Sequence, residues 1–259
     1  MRILMIGDIV GRSGRKAVKE TLQTIRQELK LDMIIANGEN AAGGNGITCE
    51  IARDFFNFGV DVLTMGNHVW DKKEIIPYID REPRIVRPAN YPPGTPGSGV
   101  GVYNINGVKV GVINLSGRVY LSNLECPFRL ADELIKDINN ETKIIFVDFH
   151  AEATSEKVAL GWYLDGRVSA VVGTHTHIQT SDERILPEGT AYITDVGMTG
   201  PYNSVLGVKT DLVLQKFTTQ MPVRFEVAEG PYQFNAVVVE VDEETGKAES
   251  IDRVLNVEY

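Results

Sequence analysis

Five apolar runs punctuate this chain, and each stops on a residue able to hold a metal ion: RILMIGD at Asp8, MIIANGE at Glu39, VDVLTMGNH at His68, IIFVDFH at His150, and AVVGTHTH at His175 and His177. Runs that are apolar throughout, rather than alternating, read as strands covered on both faces. Strand 1 spans about Arg2 to Gly7 and is followed by Val18, Leu22, Ile25 and Leu29, whose 4-3-4 spacing sets one apolar stripe on a helix. The pattern repeats with Met33 to Asn37 and a helix through Ile51, Phe55 and Phe58, then with Val60 to Met65 and a helix near Lys72 to Ile79. Such alternation predicts a mainly parallel sheet with helices on both faces, in which ligands bind at the carboxyl ends of the strands. The acids and histidines fall at those ends.

From Arg87 to Gly99 the chain is rich in Pro and Gly and reads as a loop. After it, VGVYNINGVKVGVINLSG places Asn106-Gly107 between two strand-like runs, the signature of a type I′ hairpin. The rhythm resumes with a helix around Leu130, Leu134 and Ile138, the strand IIFVDF, a helix from Ser155 and the strand AVVGT. From Arg224 onward the chain is again strand-rich, with a turn at Glu243 to Gly246. The Pro/Gly stretch has the composition of a linker. Candidate site residues lie on both sides of it, however, so a shared site requires one domain over residues 1–259, each half supplying a sheet.

With 259 residues, 43% of them hydrophobic, the chain can bury a large core. A formal net charge of −9 excludes a broad basic field for nucleic acid, so an anionic substrate must be attracted locally. Cys49 and Cys126 lack CxxC spacing and read as free thiols of a cytoplasmic protein. The first apolar run ends at Asp8, too soon for a signal sequence or a membrane span.

Asp8, Glu39, Asn67, His150, His175 and His177 form an oxygen-and-imidazole set without thiolates, which suits Mn, Fe or Zn better than a structural cysteine site. Six ligands exceed what one open catalytic ion takes. Two ions roughly 3.5–4 Å apart, bridged by a carboxylate, are the arrangement that serves phosphoryl hydrolysis. Two residues apart on an extended backbone, His175 and His177 would face the same way and flank such a pair. Plainer readings exist: Asp8 as a helix cap, His150 as a core histidine, Asn67-His68 as turn chemistry. The company of the other motifs weighs against each. Gly43, Gly44 and Gly46 do not match GxGxxG and read as a loop needing backbone freedom near the metals. GRSGRK, with Arg12 and Arg15, lacks P-loop spacing and reads as a solvated turn.

Gly7-Asp8, Gly38-Glu39-Asn40, Gly66-Asn67-His68, His150 and Gly173-Thr174-His175-Thr176-His177 resemble, in order and rough spacing, the motifs GD-x-H, GD, GNH, H and GHxH of calcineurin-type metallophosphoesterases. Val10 departs from that pattern where a histidine stands, and Glu39-Asn40 replaces the bridging aspartate motif. Both departures, with NGENAAGG, MGNHVWDKKEI, RPANYPPGTPG, FHAEATSEK, GTHTHIQTSDERILP and ITDVGMTGPY, are similar to the YmdB-like branch of that superfamily over nearly the whole chain. The resemblance implies a four-layer α/β/β/α sandwich and a phosphodiesterase acting on cyclic nucleotides, 2′,3′-cyclic and 3′,5′-cyclic. It implies two divalent or trivalent ions, Fe or Mn ahead of Zn or Mg. One would take Asp8, Glu39, Asn40 and His177, the other Glu39, Asn67, His150 and His175, with Asn40 replacing the ligand lost at Val10. His68 would protonate the leaving oxygen or hold the phosphate. The partners implied are a small phosphodiester or an RNA end and a second copy of the chain, without a membrane. The alternatives are a phosphomonoesterase of the same superfamily and a regulatory metal-binding protein acting through a partner surface.

Overall fold

The structure, a computed structural model, describes residues 1–258. The chain opens with β1 (Arg2–Ile6), the short β2 (Asp8–Ile9), α1 (Gly11–Glu28), β3 (Met33–Asn37), α2 (Cys49–Phe58) and β4 (Val62–Thr64). A 3₁₀ turn (Lys73–Ile75) runs into α3 (Ile76–Ile79), then β5 (Ile85–Val86) and the hairpin of β6 (Val100–Ile105) and β7 (Val108–Ser116). There follow α4 (Pro127–Ile138), β8 (Ile144–His150), α5 (Thr154–Leu164), β9 (Ala170–Thr174), β10 (Arg184–Ile185), β11 (Ala191–Ile193) and β12 (Met198–Pro201). The chain then forms α6 (Thr210–Thr219), β13 (Tyr232–Val241) and β14 (Ala248–Val257).

Two sheets stack face to face. The first has the order β2-β12-β13-β1-β3-β4-β5, with β14 on β13; the second runs β10-β11-β9-β8-β7-β6. Parallel pairing joins β1, β3, β4 and β5, and likewise β7, β8, β9 and β11. Antiparallel strands complete both sheets, so each is mixed. The two-residue turn between β6 and β7 has Asn106 at φ 53° and Gly107 at φ 93°, both positive as a type I′ turn demands.

Period-2 alternation sorts the side chains into layers. Ile3, Met5, Met33, Ile35 and Val62 of the first sheet meet Val110, Val112, Ile144, Phe146 and Val172 of the second in a central apolar layer. On the outer face of the first sheet, Leu4, Ile6 and Ile34 pack under Val18, Leu22 and Ile25 of α1 and Phe55 of α2. On the outer face of the second, Ile145, Val147 and Phe149 pack under Ile135 of α4 and Leu160 of α5. Helix, sheet, sheet and helix make the four-layer sandwich. Toward the carboxyl ends of the strands the central layer turns polar: Asn37, Thr64, Asn114, Asp148 and Thr174 keep the same parity and are all buried.

Several expectations need correction. The halves do not supply one sheet each: β12, β13 and β14, from the end of the chain, return to the first sheet, and β13 lies between β12 and β1. No residue pattern in one segment could reveal that, because the pairing is set by the match of two distant apolar faces. Residues 72–79 form a 3₁₀ turn and a single turn of α-helix, Pro77 standing at its start. Residues 11–16 are not a solvated turn but the start of α1, where Arg15 donates to the Ala41 carbonyl at 2.5 Å. The strands after Arg224 begin only at Tyr232. No helix among the described residues is long and apolar enough to cross a membrane.

Candidate metal centre

The polar end of the central layer carries the seven residues named from the sequence into one connected cluster. His150 Nε2 lies 3.0 Å from Glu39 Oε1, 3.0 Å from Asn67 Oδ1 and 3.0 Å from His175 Nδ1. Asn40 Nδ2 lies 3.3 Å from Glu39 Oε1 and 3.2 Å from His177 Nε2. Asp8 Oδ1 sits 3.9 Å from His150 Nδ1 and 4.0 Å from His177 Nε2. Asp8, Glu39, Asn40 and His150 are buried. Asp8 is no helix cap: Val10 occupies that position in α1, without a side-chain bond.

His175 and His177 are not on an extended backbone. Their φ angles are 102° and 66°, so the chain turns sharply after Thr174. The left-handed region is unfavourable for such residues and is held by surrounding contacts. Asp8 Oδ2 accepts from His175 N at 3.0 Å, and Asp195 Oδ2 accepts from Thr176 N at 3.0 Å and Thr176 Oγ1 at 2.7 Å. The turn sends the two rings to different partners, His175 toward His150 and His177 toward Asn40.

Each of these three imidazoles ties one nitrogen outward and presents the other to the cluster. His150 Nδ1 bonds Thr174 Oγ1 at 2.9 Å, and that hydroxyl donates to Asp148 Oδ1 at 2.8 Å. His177 Nδ1 donates to the Leu206 carbonyl at 3.0 Å. His175 Nε2 lies 3.1 Å from Glu152 Oε2. Outward bonds of this kind fix ring orientation and tautomer in histidines that ligate metals.

Burial pushes Asp8 above the ordinary carboxyl range, partly offset by His177 and His150. Burial alone would raise Glu39 too, yet the His150 imidazole and the bond from His68 N pull it down. Burial opposes a charge on His150, but Glu39, Asp8 and Asp148 lift it well above the usual imidazole value. His175 falls to about 3, through burial and then the positive charge of His150. The neighbouring carboxylates and burial thus drive His150 and His175 in opposite directions.

The residues fit metal ions on two counts. Glu39, His150 and His175 offer donor atoms all within 4.8 Å of one another. Asp8 Oδ1 is buried without a hydrogen-bond partner, a costly state for a carboxylate unless a cation meets it. Gly66 makes room for the cluster: a Cβ there would collide with Glu39 Oε2 and the His150 ring. Gly43, Gly44 and Gly46 all have positive φ beside Asn40. The His68 ring makes none of these contacts: its Nδ1 lies 2.9 Å from Asp71 Oδ2, while its backbone N donates to Glu39 Oε2 at 3.0 Å.

Sequence reasoning missed the supports. Asp148 accepts from Thr64 Oγ1 at 2.5 Å and Asn37 Nδ2 at 3.2 Å, and burial raises it to about 6. Its signal was available, since it shares a strand face with His150 inside an otherwise apolar run. Lys157 and Asp195 form a fully buried pair, Nζ to Oδ2 at 2.6 Å. Nothing in the sequence distinguishes Lys157 from a surface lysine.

Two stacked sheets with acid, amide and imidazole donors converging at their carboxyl rims define a metallophosphoesterase-type protein. A model of the YmdB-like protein family matches residues 4–254, and the chain belongs to that family. A Bacillus subtilis 2′,3′-cyclic-nucleotide 2′-phosphodiesterase is 56% identical over 98% of this chain and 97% of its own. A hypothetical protein of Thermus thermophilus superposes with a TM-score of 0.94 at 42% identity, over 100% of both chains. A Mycoplasma pneumoniae protein described as a novel phosphatase gives 0.94 at 34% identity, over 99% of this chain and 93% of its own.

Proposed function

We propose that this protein hydrolyses cyclic phosphodiesters, 2′,3′-cyclic nucleotides foremost and 3′,5′-cyclic ones as well, at a two-metal centre. The carrying observation is the convergence of donors around a buried Asp8 oxygen that no hydrogen bond satisfies. The B. subtilis relative supports the substrate class. Asp8, Asn40 and His177 would hold one ion, Asn67, His150 and His175 the other, and Glu39 both. The oxygen-and-imidazole donor set suits Mn, Fe or Zn, and the resemblance to metallophosphoesterases puts Fe or Mn ahead of Zn or Mg. When bound, the ions supply the charge that stabilises the attacking and departing oxygens.

The chain's own groups do the rest. Glu39 and Asp8 set the negative charge that admits the cations, and the outward ties of the imidazoles fix where ligand nitrogens point. His68, with Nδ1 held by Asp71, offers its other nitrogen to protonate the departing ribose oxygen. The central layer shared by both sheets supports one folding unit over residues 1–259, and a cytoplasmic place and self-association belong to the same reading.

The test is turnover of 2′,3′-cyclic AMP by metal-loaded protein, with the product identified by NMR. A nucleoside 3′-monophosphate left intact is the expected outcome. Faster hydrolysis of monophosphates than of cyclic diesters would establish a phosphomonoesterase instead, the activity class in the description of the Mycoplasma protein. Metal binding with no hydrolysis of either would leave the regulatory reading.

A further inference from the structure

The loop that joins β7 to α4 starts against the metal centre: Gly117 N donates to the His150 carbonyl at 2.9 Å. Glu156 then fixes it, its carboxylate accepting from Arg118 N at 3.0 Å and Val119 N at 3.3 Å. In so well anchored a loop, Tyr120 stands on a left-handed backbone, φ 62°, and is 87% exposed. A bulky residue in that conformation is uncommon, and strain of this kind gathers at ligand sites. The fold holds an aromatic ring in solvent at a cost to its backbone.

Arg118 opens onto a cleft of about 430 Å³ whose wall includes Pro92, Glu125 and Arg129. A second cleft of about 490 Å³ shares those three residues and reaches Tyr91. The Tyr91 ring meets Trp70 edge-on at 5.8 Å, and Trp70 lies two residues beyond His68. The two clefts thus adjoin along Pro92, Glu125 and Arg129 as one groove, whose Tyr91 end packs against Trp70. The guanidinium groups of Arg118 and Arg129 have no ion pair or hydrogen bond among the described residues. Arg87, also in the wall, is committed to the carbonyls of Pro88, Thr95 and Pro96. The carboxylates of Glu125 and Glu133 offset part of the charge, which suits a few phosphates rather than a duplex.

We infer that this groove binds the nucleotides upstream of the scissile phosphate in a short single-stranded RNA, with Arg118 and Arg129 on phosphates and Tyr120 stacked on a base. The inference rests on the reading of the centre as a cyclic phosphodiesterase, and narrows its substrate to RNA 3′ ends that carry a 2′,3′-cyclic phosphate. A cyclic mononucleotide has a single phosphate, and the metal centre takes it. Guanidinium groups without protein partners outside the centre, on a chain of net charge −9, are free to take the further phosphates of a longer strand. Exposed aromatics beside a cationic track are how single strands are held without base readout.

The experiment is fluorescence anisotropy of metal-loaded protein with a labelled hexaribonucleotide ending in a plain 3′-hydroxyl, titrated at several salt concentrations. Two phosphate contacts give a slope of log K against log salt near −1.4, and Arg118→Ala or Arg129→Ala should bring it to about −0.7. Tyr120→Ala should weaken binding by roughly 5- to 150-fold, and Tyr120→Phe should retain it. No binding, or a slope indifferent to both arginine variants, overturns the groove. In turnover, kcat/KM for a hexamer ending in a cyclic phosphate should exceed that for 2′,3′-cyclic AMP, and Arg118→Ala should shrink the ratio. Equal values for both substrates in the unaltered protein overturn the groove and leave the diesterase reading standing. RNA binding without hydrolysis of either substrate overturns the diesterase reading and not the groove.

Discussion

His150 Nε2 and His175 Nδ1 face each other at 3.0 Å inside a ring of carboxylates. Without a cation, one of these nitrogens must carry a proton for the other to accept. Divalent ions should displace that arrangement and stabilise the fold. At a free ion concentration 100 times Kd, one site adds about 2.7 kcal/mol, which for a chain of this size raises Tm by roughly 5–10 °C. Calorimetry with Mn²⁺ and with EDTA reads the shift directly, and elemental analysis should approach two equivalents. An unchanged Tm would remove the metal centre.

Glu39→Gln should leave the fold intact, since its side chain keeps its size and can still accept from His68 N. It removes the charge proposed to lie between the ions. Metal content should fall to about one equivalent or fewer, with phosphodiesterase activity lost and far-UV circular dichroism retained. Full metal loading would show that Glu39 is not the bridge.

Asn40→Ala should weaken the ion beside Asp8 more than the one beside His150, because Asn40 approaches His177 and not His175. Val10, at the position of the histidine of the wider family, is buried, and a Cβ at Gly200 or Gly207 would press against it. Restoring a histidine there therefore strains close packing, typically by about 1–3 kcal/mol. Isothermal titration of Asn40→Ala and of Asn40→Ala with Val10→His separates ligand loss from packing. Unaltered affinity in the single variant would free Asn40 of any ligand role.

His68→Ala should retain both ions and lose rate by about 10² to 10⁴, the usual contribution of a positioned acid. An aryl diester with a good leaving group should suffer less than a cyclic nucleotide. Equal losses on the two substrates would assign His68 to holding the phosphate, and a lost metal would make it a ligand.

Lys157→Met leaves Asp195 in the core without its counter-ion, and breaking a buried pair in this way costs about 3–5 kcal/mol. That is a fall in Tm of roughly 6–20 °C. Combining it with Asp195→Asn should recover part of the loss. Since Asp195 also holds Thr176, metal affinity should drop in the Asp195 variant more than in the Lys157 variant.

Strand ends proved the readable part of this protein. A run such as MIIAN declares its strand locally, and Met33–Asn37 is the observed β3. Because strands of one direction end on one rim, the candidate residues could be expected to gather there without knowing how the sheets stack. What stayed hidden is non-local or conformational. The turn at His175 and His177 depends on Asp8 and Asp195, which lie 167 and 19 residues from their partners in that turn. The burial of Lys157 depends on the same carboxylate, and the insertion of β13 beside β1 on a match between strands more than two hundred residues apart.

That insertion sets a timetable for synthesis. β1 leaves the ribosome more than two hundred residues ahead of its antiparallel neighbour, Tyr232–Val241. At 5–20 residues per second the wait is about ten to fifty seconds, during which β1 has a bare edge and Asp8 hangs beyond a strand paired on one side only. A nascent chain can assemble the second sheet with the His150 strand in that interval, and Asp8 can meet β12 and His175 N, but the first sheet stays open at β1 until β13 emerges. Closure of the first sheet is thereby tied to synthesis of Tyr232–Val241, and a chain cut short before Tyr232 should expose the β1 edge.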